Sequence, residues 1–89
     1  MKLKDLQRKI DELENKNKWN NSADQKIVFI TEELGEIAKW VRKSRKSKLT
    51  KKDKENLNFE LADILQHIVS LANTFGLDLE KGLKQKKGL

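Results

Sequence analysis

The chain contains no cysteine, no proline and no tyrosine, and it carries one histidine, two tryptophans and three phenylalanines in 89 residues. Without cysteine there is no disulfide framework, no thiolate nucleophile and no cysteine-ligated zinc. A single histidine makes no metal motif with others of its kind. No apolar run approaches the roughly 18 residues that a membrane span requires. The N-terminal stretch MKLKDLQRKIDELEN has Asp5 and other polar residues where a signal peptide needs its apolar segment, so a cytoplasmic protein is expected. There is no P-loop, no Gly-rich phosphate cradle and no Ser/His/Asp set.

Lys, Glu, Leu and Ile dominate instead, a mixture that favours helices over a sandwich or barrel. A domain of this size buries only about 60–65% of its unfolded surface, so help from a second subunit is expected. The formal charge of +6 is concentrated in residues 42–54, RKSRKSKLTKKDK, which hold eight basic residues and one acid. This local basic loop suggests attraction for anionic ligands. A nucleic-acid role for the whole surface is weaker than the overall charge implies, because the rest of the chain is near neutral.

Apolar periodicity predicts four helices in one domain spanning residues 1–89. Leu3, Leu6, Ile10 and Leu13 mark the first, and the polar stretch Asn15–Asn21 interrupts it. Ser22 and Gln25 form a candidate capping box for the second, whose seam is Ile27, Ile30, Leu34, Ile37 and Val41. Thr50 and Asp53 open the third in the same way, with Leu57, Leu61, Ile64, Ile68, Leu71 and Phe75 along its seam. Gly76 is a plausible stop and Asp78 a cap for a short fourth helix through about Lys87. The expected architecture is all-α, an antiparallel helical bundle of about four helices completed by oligomerisation.

Two acidic pairs stand out: Glu33-x-x-Glu36 on the second helix and Glu60-x-x-Asp63 on the third. A spacing of three puts both members of a pair on one helical face. Each acid precedes a seam residue, so each stripe is displaced from its seam by about 100° in the same sense. Antiparallel packing brings both stripes to the same side. Solvated helical faces are the plainer account of such acids. Against it, none of the four has Lys or Arg at i+4, and Glu32, Glu33 and Glu36 repel one another at about 0.2–0.5 kcal/mol per contact. Both stripes also adjoin the core, where desolvation raises that repulsion. Carboxylates without sulfur or clustered imidazole select a hard ion, Mg²⁺ or Mn²⁺, and make the chain a candidate metal-dependent enzyme acting on a phosphate substrate.

Glu32-Glu33-Leu34-Gly35-Glu36, followed by Glu60-Leu61-Ala62-Asp63, resembles the EExxE…ExxD signature of MazG-like nucleoside triphosphate pyrophosphohydrolases. The phrases ITEELGEIAKWV and NFELADILQHIVSLANTFGLDLEKGL look like that family's central helices and following turn, so the resemblance runs from about Trp19 to Lys86. It implies a dimeric or tetrameric all-α hydrolase that cleaves a nucleotide between its α- and β-phosphates. By motif match, Glu33, Glu36, Glu60 and Asp63 hold Mg²⁺, while Glu32 orients a ligand or serves as a base. Basic residues that follow the fourth helix in the family have no clear counterpart in Lys86-Lys87-Gly88-Leu89. Phosphate contacts then fall to Lys39, Lys43, Lys84, Lys86 or a neighbouring subunit.

Around the acids, Trp40 extends one end of the stripe and His67 is expected opposite Phe29 at the other. Trp40 and Trp19 are candidates for stacking on a base, although packing is the simpler role for both. His67 either orients a carboxylate or water, or is a satisfied helical histidine. Gly35, alone inside a helix, suggests close helix approach. Two rival functions remain: phosphoribosyl-ATP pyrophosphohydrolase, disfavoured by Val28-Phe29-Ile30-Thr31 before the first motif, and a non-catalytic helical module that binds nucleic acid through the basic loop.

Overall fold

Hydrogen-bond chemistry at the helix ends sets the segmentation. The computed structural model describes residues 2–89, with α1 at Leu3–Lys16, α2 at Ala23–Lys46, α3 at Lys51–Thr74 and α4 at Leu79–Lys87. Ser22 Oγ accepts the Gln25 amide at 3.2 Å, and the Ser22 amide donates to Gln25 Oε1 at 2.9 Å, closing the box that starts α2. Thr50 and Asp53 repeat it for α3, at 3.0 and 2.9 Å. Gly76, with φ of 63°, ends α3: the Leu77 amide donates to the Ala72 carbonyl at 2.9 Å and the Gly76 amide to that of Asn73 at 3.1 Å. Asp78 caps α4 by accepting from the Lys81 amide at 3.0 Å.

Two 24-residue helices, α2 and α3, form an antiparallel hairpin of equal arms, each about 36 Å long. At its open end, Lys26 Nζ donates to Thr74 Oγ1 at 2.7 Å and to the Ser70 carbonyl at 3.4 Å. At its closed end, Lys43 Nζ meets Asp53 Oδ1 at 3.1 Å. Helix α1 packs on α3, and α4 packs against α1. Gln7, buried on α1, ties these pieces together by donating to Asn73 Oδ1 and the Leu77 carbonyl and accepting the Leu79 amide. The all-α expectation holds, with four helices and no strand among the described residues. No described helix is long and apolar enough to cross a membrane.

The expected seams are only partly used. Ile30 and Ile37 are half-buried, but Ile27, Leu34 and Val41 stay exposed, Leu34 at 54%. The inward line of α2 runs instead through Lys26, Phe29, Glu33, Ile37 and Trp40. On α3, Ile64 is buried and Leu57 and Leu71 are half-buried, whereas Leu61, Ile68 and Phe75 are exposed. The reason is geometric: both helices carry apolar residues over more than one face, and the neighbours present, α3 for α2 and α2 with α1 for α3, leave part of that surface uncovered. Gly35 is also not a point of close approach, since a Cβ there meets nothing within 4 Å.

The buried apolar side chains among the described residues are Ile64, Val69 and Ala72. The radius of gyration, 15.0 Å, exceeds the roughly 12 Å of a compact chain of this length. An open hairpin with so small a core leaves a broad apolar surface without a covering layer.

Candidate functional site

Because the hairpin is antiparallel, the two acidic motifs meet about midway along it. Glu33 of α2 and Glu60 and Asp63 of α3 bring carboxylate oxygens within 4.8 Å of one another. Glu33 and Glu60 are half-buried in the groove between the helices, and Asp63 is exposed at its edge. Glu33 Oε2 is buried and has no hydrogen-bond partner among the described residues. None of the three carboxylates has a Lys, Arg or His nitrogen within 4.0 Å. Like charges so arranged disfavour ionisation: the Glu33 carboxyl is pushed up to about 7, first by its hydrogen-bonding contact with Glu60, then by burial, then by the charges of Glu60, Asp63 and Glu36.

A partnerless buried oxygen among three converging carboxylates fits a hard divalent cation held through oxygen. The set has no sulfur and no imidazole, which argues against zinc.

Glu36 stands one turn beyond Glu33 and lies outside this trio. Its carboxylate pairs with Lys39 Nζ at 3.2 Å, a partner three residues on that an i+4 count passes over. Glu32 is exposed on α2. Lys39, Trp40 and Lys43 share an open cleft of about 280 Å³ with Glu36, and the Lys43 ammonium lies 5.4 Å from the Trp40 ring centre. On the other side, the His67 and Phe29 rings sit 5.1 Å apart, as the antiparallel register requires.

The remaining candidates are dispersed. Trp19 is half-exposed on the rim of a polar cavity of about 160 Å³ formed with Glu14, Asn20, Lys26, Ser70 and Thr74. Lys84 pairs with Glu80 on its own helix at 3.8 Å, and Lys86 is exposed; both belong to α4, whose packing partner is α1. Sequence reasoning passed over Lys26, which bonds across the hairpin two turns from Glu33. Its place seven residues before Glu33, hence on the same face, was the available signal.

From the N-cap of α2 to the end of α4, residues 22–87 match the family model of the MazG nucleotide pyrophosphohydrolase domain. The chain belongs to this family. No curated protein and no solved structure matches it. The carboxylate trio therefore lies within a MazG domain, built from both of its long helices, while α1 lies outside the matched span.

Proposed function

We propose that the protein hydrolyses a nucleoside triphosphate or deoxynucleoside triphosphate to the monophosphate and pyrophosphate, using Mg²⁺ and accepting Mn²⁺. The observation that carries this reading is the convergence of Glu33, Glu60 and Asp63 around a partnerless buried Glu33 oxygen, inside a MazG domain. Glu33, Glu60 and Asp63 hold the cation, and Glu36 joins them by leaving Lys39. Bound there, Mg²⁺ supplies charge neutralisation for the phosphate oxygens and activation of water for attack at the α-phosphorus.

Around that centre, Lys39, freed when Glu36 leaves it, attracts the phosphates from the Glu36 end of the groove, and Lys43 adds its charge there only by giving up its pair with Asp53. Glu32, solvent-facing beside Glu33, orients a ligand or takes up the water proton. The Trp40 face and His67 lie on either side of the trio, within reach of a nucleotide laid along the hairpin; Trp19 on its rim is a second stacking surface. Lys84 and Lys86 contribute only if α4 of a neighbouring subunit approaches. No covalent attachment to the protein is needed.

The working form is a homodimer or homotetramer in the cytoplasm. Exposed Ile27, Leu34 and Val41, at seven-residue spacing on α2, and Leu61 and Ile68, at the same spacing on α3, support this, since soluble monomers rarely leave such apolar stripes open. The test is a pyrophosphate-release screen over all common NTPs and dNTPs with Mg²⁺ and with Mn²⁺. Release from at least one of them, abolished by chelator, is expected. Turnover of phosphoribosyl-ATP alone would replace the substrate, and no release from any nucleotide would remove the activity.

A further inference from the structure

The closed end of the hairpin concentrates positive charge that neither the fold nor the carboxylate centre uses. Among the basic residues of 42–54, Lys43 is taken by Asp53 at 3.1 Å and Lys52 by Glu55 at 3.8 Å. Arg42, Arg45, Lys46, Lys48, Lys51 and Lys54 are exposed, with no carboxylate oxygen within 4.0 Å among the described residues. Asp53, the one acid of the segment, is buried: it accepts the Thr50 amide and the Lys43 ammonium, so it does not offset the others.

Helix electrostatics separates two groups among these cations. Arg45 and Lys46 lie in the last turn of α2, where positive charge suits the helix C-terminus. Lys51, Lys52 and Lys54 lie in the first turn of α3, where positive charge opposes the helix dipole. Lys52 has Glu55 as a local partner, but local stability does not account for Lys51 and Lys54; an anionic ligand does. Only Ser47–Thr50 separates the two helix ends, so both sets crowd one tip. That tip lies roughly 14 Å along α2 from Glu36, away from the trio.

We propose that this tip binds the phosphodiester backbone of nucleic acid, without regard to sequence. A row of closely spaced phosphates is the ligand that several unpaired cations satisfy at once. An anionic membrane is the lesser match, because surface-bound segments also insert apolar side chains. In residues 42–54 the one apolar side chain, Leu49, is partly buried. The inference is independent of the hydrolytic reading.

The test is fluorescence anisotropy of labelled duplex DNA and single-stranded RNA 20-mers, with the full chain, in chelator, from 50 to 200 mM salt. Four phosphate contacts predict about a hundredfold loss of duplex affinity over that range. The variant R45A/K46A/K48A/K51A should bind at least tenfold more weakly at 50 mM salt and show a shallower salt slope. K4A/K9A/K16A/K18A, an equal change of net charge on and beside α1, should keep parental affinity. Circular dichroism verifies that both variants remain helical. A preference between the two oligonucleotides identifies the form bound. Parental affinity in the tip variant, equal loss in the α1 variant, undetectable binding, or tighter binding to phosphatidylserine vesicles than to either oligonucleotide overturns the proposal.

Discussion

Glu33 and Glu60, one from each arm of the hairpin, approach so closely that Glu60 is the main cause of the Glu33 carboxyl being pushed up to about 7. The pair links stability to pH. Unfolded Glu33 titrates near 4.5 and folded Glu33 near 7, so between these values the folded protein binds more protons than the unfolded one. Its contribution is fully present below about pH 4.5 and is lost as pH rises through 7. In chelator, the melting temperature of the parent should therefore fall relative to that of Glu33→Gln from pH 5 to pH 8. Saturating Mg²⁺ should raise the parental value most at the alkaline end, because there the cation displaces no proton. A constant difference between parent and variant across this range would refute the raised Glu33 value.

Glu36 tests whether the fourth acid joins the trio. Its ion pair with Lys39 joins two side chains that are each about half exposed or more, so it is worth no more than about 1 kcal/mol and yields readily to a cation. Glu36→Gln should abolish the Mg²⁺-dependent rise in melting temperature and lower pyrophosphate release on the order of 100-fold or more, since even outer partners of metal ligands cost 10–100-fold. Lys39→Met, which frees Glu36 without removing it, should retain the thermal gain. If Glu36→Gln keeps both properties, the cation needs only Glu33, Glu60 and Asp63.

Local chemistry was readable in the chain, and the choice of packing face was not. Ser22, Thr50, Gly76 and Asp78 act within a few residues of themselves, so their capping and stop signals translate directly into hydrogen bonds. The meeting of Glu33 with Glu60 and Asp63 followed from two spacings and one antiparallel turn. Ile27, Leu34 and Val41 misled because periodicity reports that a face is apolar, not which neighbour covers it. The destination of α4, and with it Lys84 and Lys86, depends on contacts such as Gln7 with Leu79 that have no sequence signature.

The uncovered face carries its own prediction. Leu34 and Leu61 are 54% and 47% exposed, each on a long helix beside the acidic motif. Light scattering on a sizing column should report two or four times the 10.4 kDa chain mass. Leu34→Glu or Leu61→Glu should shift the protein toward the single-chain mass and lower its melting temperature, because a charge is then placed within an apolar contact. A parent that runs at the mass of one chain at micromolar concentration would contradict the oligomeric reading.

Gln7 ties α1 by hydrogen bonds to Asn73, Leu77 and Leu79 of the matched domain, although α1 lies outside that match. Its amide donates to Asn73 Oδ1 at 3.0 Å and the Leu77 carbonyl at 2.9 Å, its Oε1 accepts the Leu79 amide at 2.9 Å, and its carbonyl accepts Asn73 Nδ2 at 2.9 Å. Gln7→Leu keeps approximate volume but leaves the Leu79 amide and the Leu77 carbonyl without these partners. Each such loss costs about 1–3 kcal/mol where the group is shielded from water. Urea unfolding should show a lower midpoint at unchanged slope, equivalent to an unfolding free energy lower by at least about 1 kcal/mol, and amide exchange should quicken in α4 before it does in α2. Since the carboxylate trio is remote from Gln7 in the sequence and built on α2 and α3, the Mg²⁺-dependent thermal gain should persist in the variant. Loss of that gain with an unchanged unfolding midpoint would mean that α1 shapes the metal-binding groove directly.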